Sequence, residues 1–253
     1  MIQLCRNALK EVLEAGVLPY QPHPGLFLSK GIAEISGEEA AGDLKQDHIR
    51  KLCSMEPSDL YKNAFSRWKK ATQDRSRFTA FEAACEGRLY IGTTRDCPLE
   101  TGITVHHTYG MPMIPGSSVK GIGRSQSGCI QNADVVEYLF GNDWGETDET
   151  AVISGGIVYH DAWWVPEGKP FVSEIITVHH QNYYTQAGEV EATDFDSPIP
   201  APQIATSGKF YFVIEGPPAW AELARHLIQQ ALADRGIGGK RSSGYGYWKV
   251  LMT

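Results

Sequence analysis

Apolar residues recur at helical spacing twice in the first third of the chain. Ile2, Cys5, Leu9 and Val12 form one run, and Leu60, Ala64, Phe65 and Trp68 form another. The first eighty or so residues are therefore expected to be mainly helical. Between the runs, Pro19, Pro22, Pro24 and Gly25 mark a loop, and Leu26, Phe27 and Leu28 suit a short strand. From Gly87 onward the pattern changes to short apolar stretches separated by Gly and Pro. Residues 88–91, 152–159 and 171–178 read as strands, while 118–124 and 135–140 suit short helices. Lys209 to Ile214 is the clearest strand. Pro217 and Pro218 then open a helix whose Leu223, Leu227, Ile228, Ala231 and Leu232 share one face. Gly236 ends that helix, a glycine-rich loop follows, and Tyr245 to Leu251 is predicted as a terminal strand.

A strand, a helix, paired strands, a helix and a strand, interrupted by long insertions, predict an α+β fold. The matching architecture is a ferredoxin-like (RRM-like) antiparallel sheet backed by helices. We read residues 1–253 as a single domain, with 1–86 a mainly helical N-terminal extension and 87–253 the ferredoxin-like core. At 253 residues the chain is long enough to bury a core without covalent staples. No apolar run approaches the roughly 20 residues of a membrane span, and the opening Met1 to Arg6 lacks a secretory layout. The expectation is a soluble, cytoplasmic protein with no membrane partner. Cys5, Cys53, Cys85, Cys97 and Cys129 form no C-x-x-C pair, which suits reduced and mostly buried thiols.

Charge constrains function further. The net charge of -7 argues against holding nucleic acid by bulk electrostatics, because phosphate contacts need Lys or Arg beside the backbone. The first 86 residues carry twelve basic and twelve acidic side chains, so the acidic excess lies downstream. Any RNA contact must then be local. The best local candidate is Gly236-Ile237-Gly238-Gly239-Lys240-Arg241-Ser242-Ser243-Gly244-Tyr245-Gly246-Tyr247-Trp248. Its glycines permit positive φ and close approach. Lys240, Arg241, Ser242 and Ser243 offer donors for phosphate or ribose, and Tyr245, Tyr247 and Trp248 offer flat faces for bases. A P-loop is excluded, since Asp234 stands at its first glycine position and Arg241 at its hydroxyl position. A dinucleotide fingerprint needs the reverse order of strand and helix. The same stretch also suits a plain tight turn with its aromatics packed in the core.

A second dense block is Met113-Ile114-Pro115-Gly116-Ser117-Ser118-Val119-Lys120-Gly121. Pro115-Gly116 makes a turn, Ser117 or Ser118 is a natural N-cap, and Lys120 and Arg124 lie one turn apart on the helix that follows. A helix N-terminus attracts anions, so this is a second candidate phosphate site, with Ser118, Lys120 and Arg124 as its residues. An ordinary capped helix with solvated cations fits the residues as well. His106-His107 and His179-His180 invite a metal or catalytic reading, but neither pair has the H-E-x-x-H spacing, and adjacent strand residues face opposite ways. No metal and no cofactor is expected. Asp194 and Asp196 flank Phe195, an arrangement suited to a cation or a general base and equally to an exposed acidic loop.

Taken together in this order, the blocks resemble the RAMP superfamily of RNA-binding CRISPR proteins, and within it the sixth-subunit family of the Cmr modules. The resemblance runs over about residues 87–249. It is carried by Gly87-Arg88-Leu89-Tyr90-Ile91-Gly92, Leu99-Glu100-Thr101-Gly102, His106 to Pro112, Ile114 to Gly121, Leu139-Phe140-Gly141, Val158 to Ala162, Val178 to Tyr184, Ser197 to Pro200 and the glycine-rich loop. It implies a non-catalytic structural subunit of a type III effector complex near the 3′ end of the CRISPR guide RNA. The implied partners are the guide RNA and other RAMP subunits of the Cmr complex, with target RNA nearby and target cleavage left to another subunit. The implied role is antiviral defence. Two alternatives follow from the same residues. One is a metal-independent repeat-processing endoribonuclease of this superfamily, with His107 or His179 as general base and Tyr184 or Lys240 assisting. The other is a protein-only scaffold.

Overall fold

A computed structural model of the chain describes residues 2–3, 11, 22–32, 34–35, 38–93, 101–142, 154–180, 183, 189, 191, 193 and 198–251. Four strands form the centre of the molecule: β3 (Phe78–Cys85), β6 (Ala162–Trp164), β9 (Lys209–Glu215) and β10 (Trp248–Val250). They lie in the order β10-β3-β9-β6, with every neighbouring pair antiparallel, and β4 (Met113–Ile114) extends the sheet beyond β6 while β5 (Val158–Tyr159) pairs with β9. Helix α4 (Gly116–Ser125) lies between the first and second of these four strands in sequence, and α6 (Pro218–Asp234) between the third and fourth. This β-α-β-β-α-β path through a four-stranded antiparallel sheet is the expected α+β, ferredoxin-like arrangement.

The sheet is buried on both faces. Alternation along β9 sends Phe210, Phe212 and Ile214 to the side of α4 and α6, where they join the main core with Trp248 and Phe81. Tyr211 and Val213 point the other way and pack with Phe65 and Trp68 of helix α3 (Asp59–Ala71). Helix α3 forms where its local chemistry dictates. The Ser58 hydroxyl caps Tyr61 N–H, Asp59 sits in the first turn, and Lys69 and Lys70 sit in the last. Its apolar stripe is fastened to the sheet by Tyr61 donating to the Trp164 carbonyl, by Thr72 to Tyr211 at 2.7 Å and by Lys69 to Glu82 at 2.7 Å. The sheet face opposite α4 and α6 is therefore covered and offers no open platform for bases.

Several local expectations needed correction. Ile2 lies in a two-residue strand, β1 (Ile2–Gln3), paired with β2 (Glu34–Ile35), while Cys5, Leu9 and Val12 fall outside the described residues. Leu26 to Leu28 belong to a helix, α1 (Pro24–Lys30). His23 Nδ1 accepts Leu26 N–H at 3.2 Å and Pro24 presets the first turn, so the proline that looked like a loop marker is a helix opener. Strand β3 was not predicted in the segment expected to be helical. Its sequence Phe-Thr-Ala-Phe-Glu-Ala-Ala-Cys has little β-branching, and it is a strand because it pairs with β9 along its length and with β10 at its C-terminal end. Residues 88–91 do not form a regular strand, although Leu89 and Tyr90 make single bridges to Thr206 and Gly239.

Helices α5 (Ala133–Phe140) and α6 and strands β7 (Phe171–Val178) and β9 lie where the pattern places them. Strand β7 forms a separate two-stranded ribbon with β8 (Ile199–Thr206), against which α2 (Glu38–Ser54) packs. Cys53 and Cys85 are half-buried, and burial pushes their thiols up, to about 11 and about 12, whereas Cys129 is exposed. No helix among the described residues is long and apolar enough to cross a membrane.

Helix α2 also carries a titratable core group. His48 is buried, stacks on Phe27 with centroids 4.2 Å apart and donates Nε2–H to the Phe27 carbonyl at 2.9 Å. Desolvation lowers its pKa below the ordinary 6.5, against the opposing pull of its backbone hydrogen bonds. The folded chain thus refuses a proton that the unfolded chain accepts, so stability is fully present above about pH 6.5 and is lost as pH falls below it. His106 shifts in the same direction through desolvation. His48→Gln is expected to flatten this dependence in part, read from the thermal midpoint between pH 7.5 and 5.5. An unchanged slope would remove His48 as a contributor.

Candidate nucleic-acid interface

The glycine-rich loop is a braced projection. Ile237 N–H bonds to the Gly246 carbonyl at 2.8 Å, Gly239 N–H to Tyr90 O at 2.7 Å, and Gly246 N–H to Arg88 O at 3.0 Å. Gly238 and Gly246 have φ of +97° and +75°, and a Cβ at either would run into a backbone carbonyl, that of Tyr90 or of Ile237. Beyond this base the chain turns outward through a short 3-10 segment, Arg241–Ser243, closed by Ser243 N–H to Lys240 O and Gly244 N–H to Arg241 O, both at 3.0 Å. Lys240 stands in the left-handed region at φ 57°, alone in this among the described non-glycine residues. Such a position costs roughly 1–2 kcal/mol for an L-residue. Strain of this kind persists only where surrounding bonds enforce it.

Lys240, Arg241, Ser242 and Ser243 are all exposed, and neither cation has an acidic partner among the described residues. Tyr245 is half-buried and packs edge-on against Tyr90 at 4.8 Å, which leaves part of the ring at the surface. Burial, reinforced by neighbouring Tyr245 and Glu174, pushes the Tyr90 phenol up, so the Tyr90 ring is neutral structural support. Trp248 is not available for stacking. It is buried in the main core, edge-on to Phe210 and Phe212 at 5.4 and 5.8 Å. The terminal strand accordingly shrinks to Trp248–Val250, because Tyr245 and Gly246 are committed to the loop base.

The second block has a different geometry from the one expected. Pro115, and not Ser117 or Ser118, is the N-cap of α4, and the helix begins at Gly116. The Gly116 N–H donates to Asp161 Oδ1 at 2.7 Å, and a Cβ at Gly116 would run into the Tyr159 carbonyl. A carboxylate of the chain itself thus already occupies the helix N-terminus that was read as an anion site. Asp161 is the residue the sequence reading missed. Its place directly before β6 was visible, but its target 45 residues away was not. Arg124 donates to the Gly141 carbonyl at 2.8 Å, at the C-terminal end of α5, a contact that complements that helix dipole. Lys120 and Ser118 are half-buried on the same helix.

One contact brings the two blocks together. Arg235 Nε donates to Gln126 Oε1 at 2.8 Å, just past α4, while its carbonyl accepts from Arg241 Nη1 at 3.5 Å. Arg88, whose carbonyl holds the loop base, lies 3.7 Å from Glu174 on β7. Arg241 and Arg235 are therefore in direct contact, while Arg88 joins the loop through its carbonyl and turns its side chain to Glu174.

Of the histidines in these pairs, His106 has structural surroundings. His106 packs on Tyr109 and Trp163 at 4.7 and 4.8 Å and accepts Thr108 N–H on Nδ1. His107 is exposed in the following turn. His179 is exposed just past β7, with its ring 6.5 Å from that of His180. Tyr184, Asp194 and Asp196 lie outside the described residues. Among the described residues, no three His, Cys, Asp or Glu side chains converge as a metal site would require.

The sequence profile of the RAMP superfamily matches residues 82–249. The chain is 26% identical to the CRISPR system Cmr subunit Cmr6 of Pyrococcus furiosus, over an alignment that covers 74% of each sequence. It superposes with a TM-score of 0.66 and 20% identity on a chain of the type III-B Cmr-beta complex bound to cognate target RNA, covering 98% of this chain and 92% of that one. Against the crystal structure of Cmr6 from Pyrococcus furiosus the TM-score is 0.41 at 24% identity, covering 69% and 98%.

Proposed function

The chain belongs to the RAMP superfamily, and from that premise we propose that it is a non-catalytic, RNA-binding structural subunit of a type III CRISPR effector complex. Its place is beside the 3′ region of the guide RNA, among other RAMP subunits of a cytoplasmic Cmr assembly. The observation that carries this reading is the loop tip. Lys240, Arg241, Ser242 and Ser243 project from a base fastened at Tyr90, Arg88 and Ile237, with both cations free of acidic partners among the described residues. The overall charge of -7 is compatible with this, since a few nucleotides need only a local basic surface. The covered sheet face supports it too. With α3 lying over that face, the base platform used by sheet-face RNA binders is closed, and contact falls to loops at the sheet end. Tyr245 adds a ring for one base, and Lys120 with Ser118 adds a weaker second contact on α4. Arg124 belongs to the same group and also donates to the Gly141 carbonyl.

The test is guide-RNA retention by the chain co-assembled with the other Cmr subunits. Lys240→Ala combined with Arg241→Ala is expected to weaken RNA association about tenfold or more while leaving the thermal midpoint unchanged. The plot of log affinity against log salt should become shallower by about 1.4, at roughly 0.7 for each single-strand phosphate that is no longer neutralised. An unaltered slope would remove the loop from the interface. Cleavage of repeat RNA by the purified chain, abolished by His107→Ala or His179→Ala, would replace the proposal with the nuclease reading. Assembly without any RNA crosslink to this chain would leave the scaffold.

A further inference from the structure

Strand β10 is shorter than the strand it flanks. It pairs only with Ala83, Ala84 and Cys85 of β3, and Leu251 N–H reaches one step further, to the Glu82 carbonyl at 3.2 Å. The register defines what the rest of β3 presents on that side. Gly216 N–H bonds to Arg77 O and Cys85 N–H to Gly208 O, so the odd-numbered residues of β3 turn their backbone groups toward β9 and the even-numbered ones away from it. Asp74 O takes Phe78 N–H at 2.8 Å. The Phe78 carbonyl and both backbone groups of Ala80 then face outward, with no described residue bonded to them.

These groups open into a groove of about 750 Å³. Lys69 and Thr72 at the end of α3 form one wall, Pro218 and Arg225 at the start of α6 form the other, and Phe78 and Tyr211 lie between them. Phe78, Thr79 and Ala80 are only half-buried, although Phe210 to Ile214 on the adjoining strand are fully buried. An edge of this kind in the middle of a fold is a template for strand pairing.

We propose that this groove receives an extended polypeptide segment of a neighbouring subunit, which adds antiparallel to the open half of β3 in line with β10. The inference rests on the reading that the chain works inside a multi-subunit assembly. The occupant is a polypeptide because Ala80 presents a donor and an acceptor side by side, and an extended main chain satisfies both at strand spacing. Glu82 and Glu222 also line the groove. Lys69 and Arg225 are held by those two carboxylates, at 2.7 Å and 2.8 Å, which leaves Arg75 at the groove with no acidic partner among the described residues. The lining therefore has a positive excess in a chain of net charge -7 and suits an acidic or uncharged segment.

The experiment measures amide hydrogen exchange of Ala80 in the free chain and in the reconstituted Cmr assembly, the latter before and after ribonuclease treatment. The expected result is fast exchange in the free chain and exchange at least 100-fold slower in the assembly, unaffected by ribonuclease. Ala80→Pro removes the outward N–H without touching the β3–β9 ladder. It should lower retention in the assembly tenfold or more at an unchanged thermal midpoint. Lys240→Ala with Arg241→Ala should leave that retention intact. Slow exchange already in the free chain would overturn the proposal, whether the chain's own residues 252–253 or, if concentration-dependent, a second copy covers the edge. Protection that disappears with ribonuclease would assign the groove to RNA. Failure of any assembly to form would sink the subunit reading and this inference together, whereas assembly with Ala80 still exchanging fast would sink this inference alone.

Discussion

Trp164→Ala is expected to lower the stability of the folded chain by about 3–5 kcal/mol, the range for emptying a large aromatic site in a core. Trp164 is fully buried on β6 and packs within the main core. Its indole Nε1–H donates to the Ser207 carbonyl at 2.8 Å, and its own carbonyl takes the Tyr61 hydroxyl from α3. Truncation would therefore open a cavity and strand the Ser207 carbonyl, and both effects act in the same direction. Because α3 is fastened at this strand, the change should also loosen the layer that covers the second sheet face. Chemical denaturation at neutral pH measures it, and a drop below about 1 kcal/mol would mean that the site collapses around the gap or is packed otherwise.

Gly246→Ala is expected to reduce guide-RNA retention about tenfold, close to 1.4 kcal/mol, without altering a single charge. Gly246 sits at φ +75°, its N–H holds the Arg88 carbonyl, its carbonyl holds Ile237 N–H, and a methyl group would meet the Ile237 carbonyl oxygen. The loop base would have to open, and Lys240 and Arg241 would leave their braced positions. This separates placement from charge. If retention depended only on having two cations near the C-terminus, Gly246→Ala would bind as the parent does. Gly244→Ala is the comparison. That residue also has a positive φ of +87°, but a Cβ there meets nothing within 4 Å, so the variant should lose much less.

The parts of the fold legible in advance were those whose burial repeats along the chain. Helix α6 reads from Leu227, Ile228, Ala231 and Leu232, and strand β9 from its run of aromatic and aliphatic residues. The loop between α6 and β10 was equally legible, since glycines beside Lys240 and Arg241 announce both unusual backbone and exposed cations. Strand β3 was not, because Ala80, Ala83 and Ala84 with Glu82 carry no strand preference of their own. Its state is set by pairing with β9 on one side and β10 on the other. The N-terminus of α4 differs from expectation for a related reason. Pro115-Gly116 does start a helix, but the anion at its end is Asp161, a partner from far along the sequence.

The amino-acid sequence alone determined the class of fold, the places of α6, β7 and β9 and the residues that form an exposed basic turn. These follow from periodicity and backbone permissiveness, which act over a few residues. Only the tertiary structure decided that α3 closes the second sheet face, that Trp248 belongs to the core and that, among the described residues, the first half of β3 is unpaired on the side away from β9. Those outcomes depend on which distant surfaces meet. Burial energy rewards any apolar contact without regard to direction, so it is the shape of the assembled layers that selects among them.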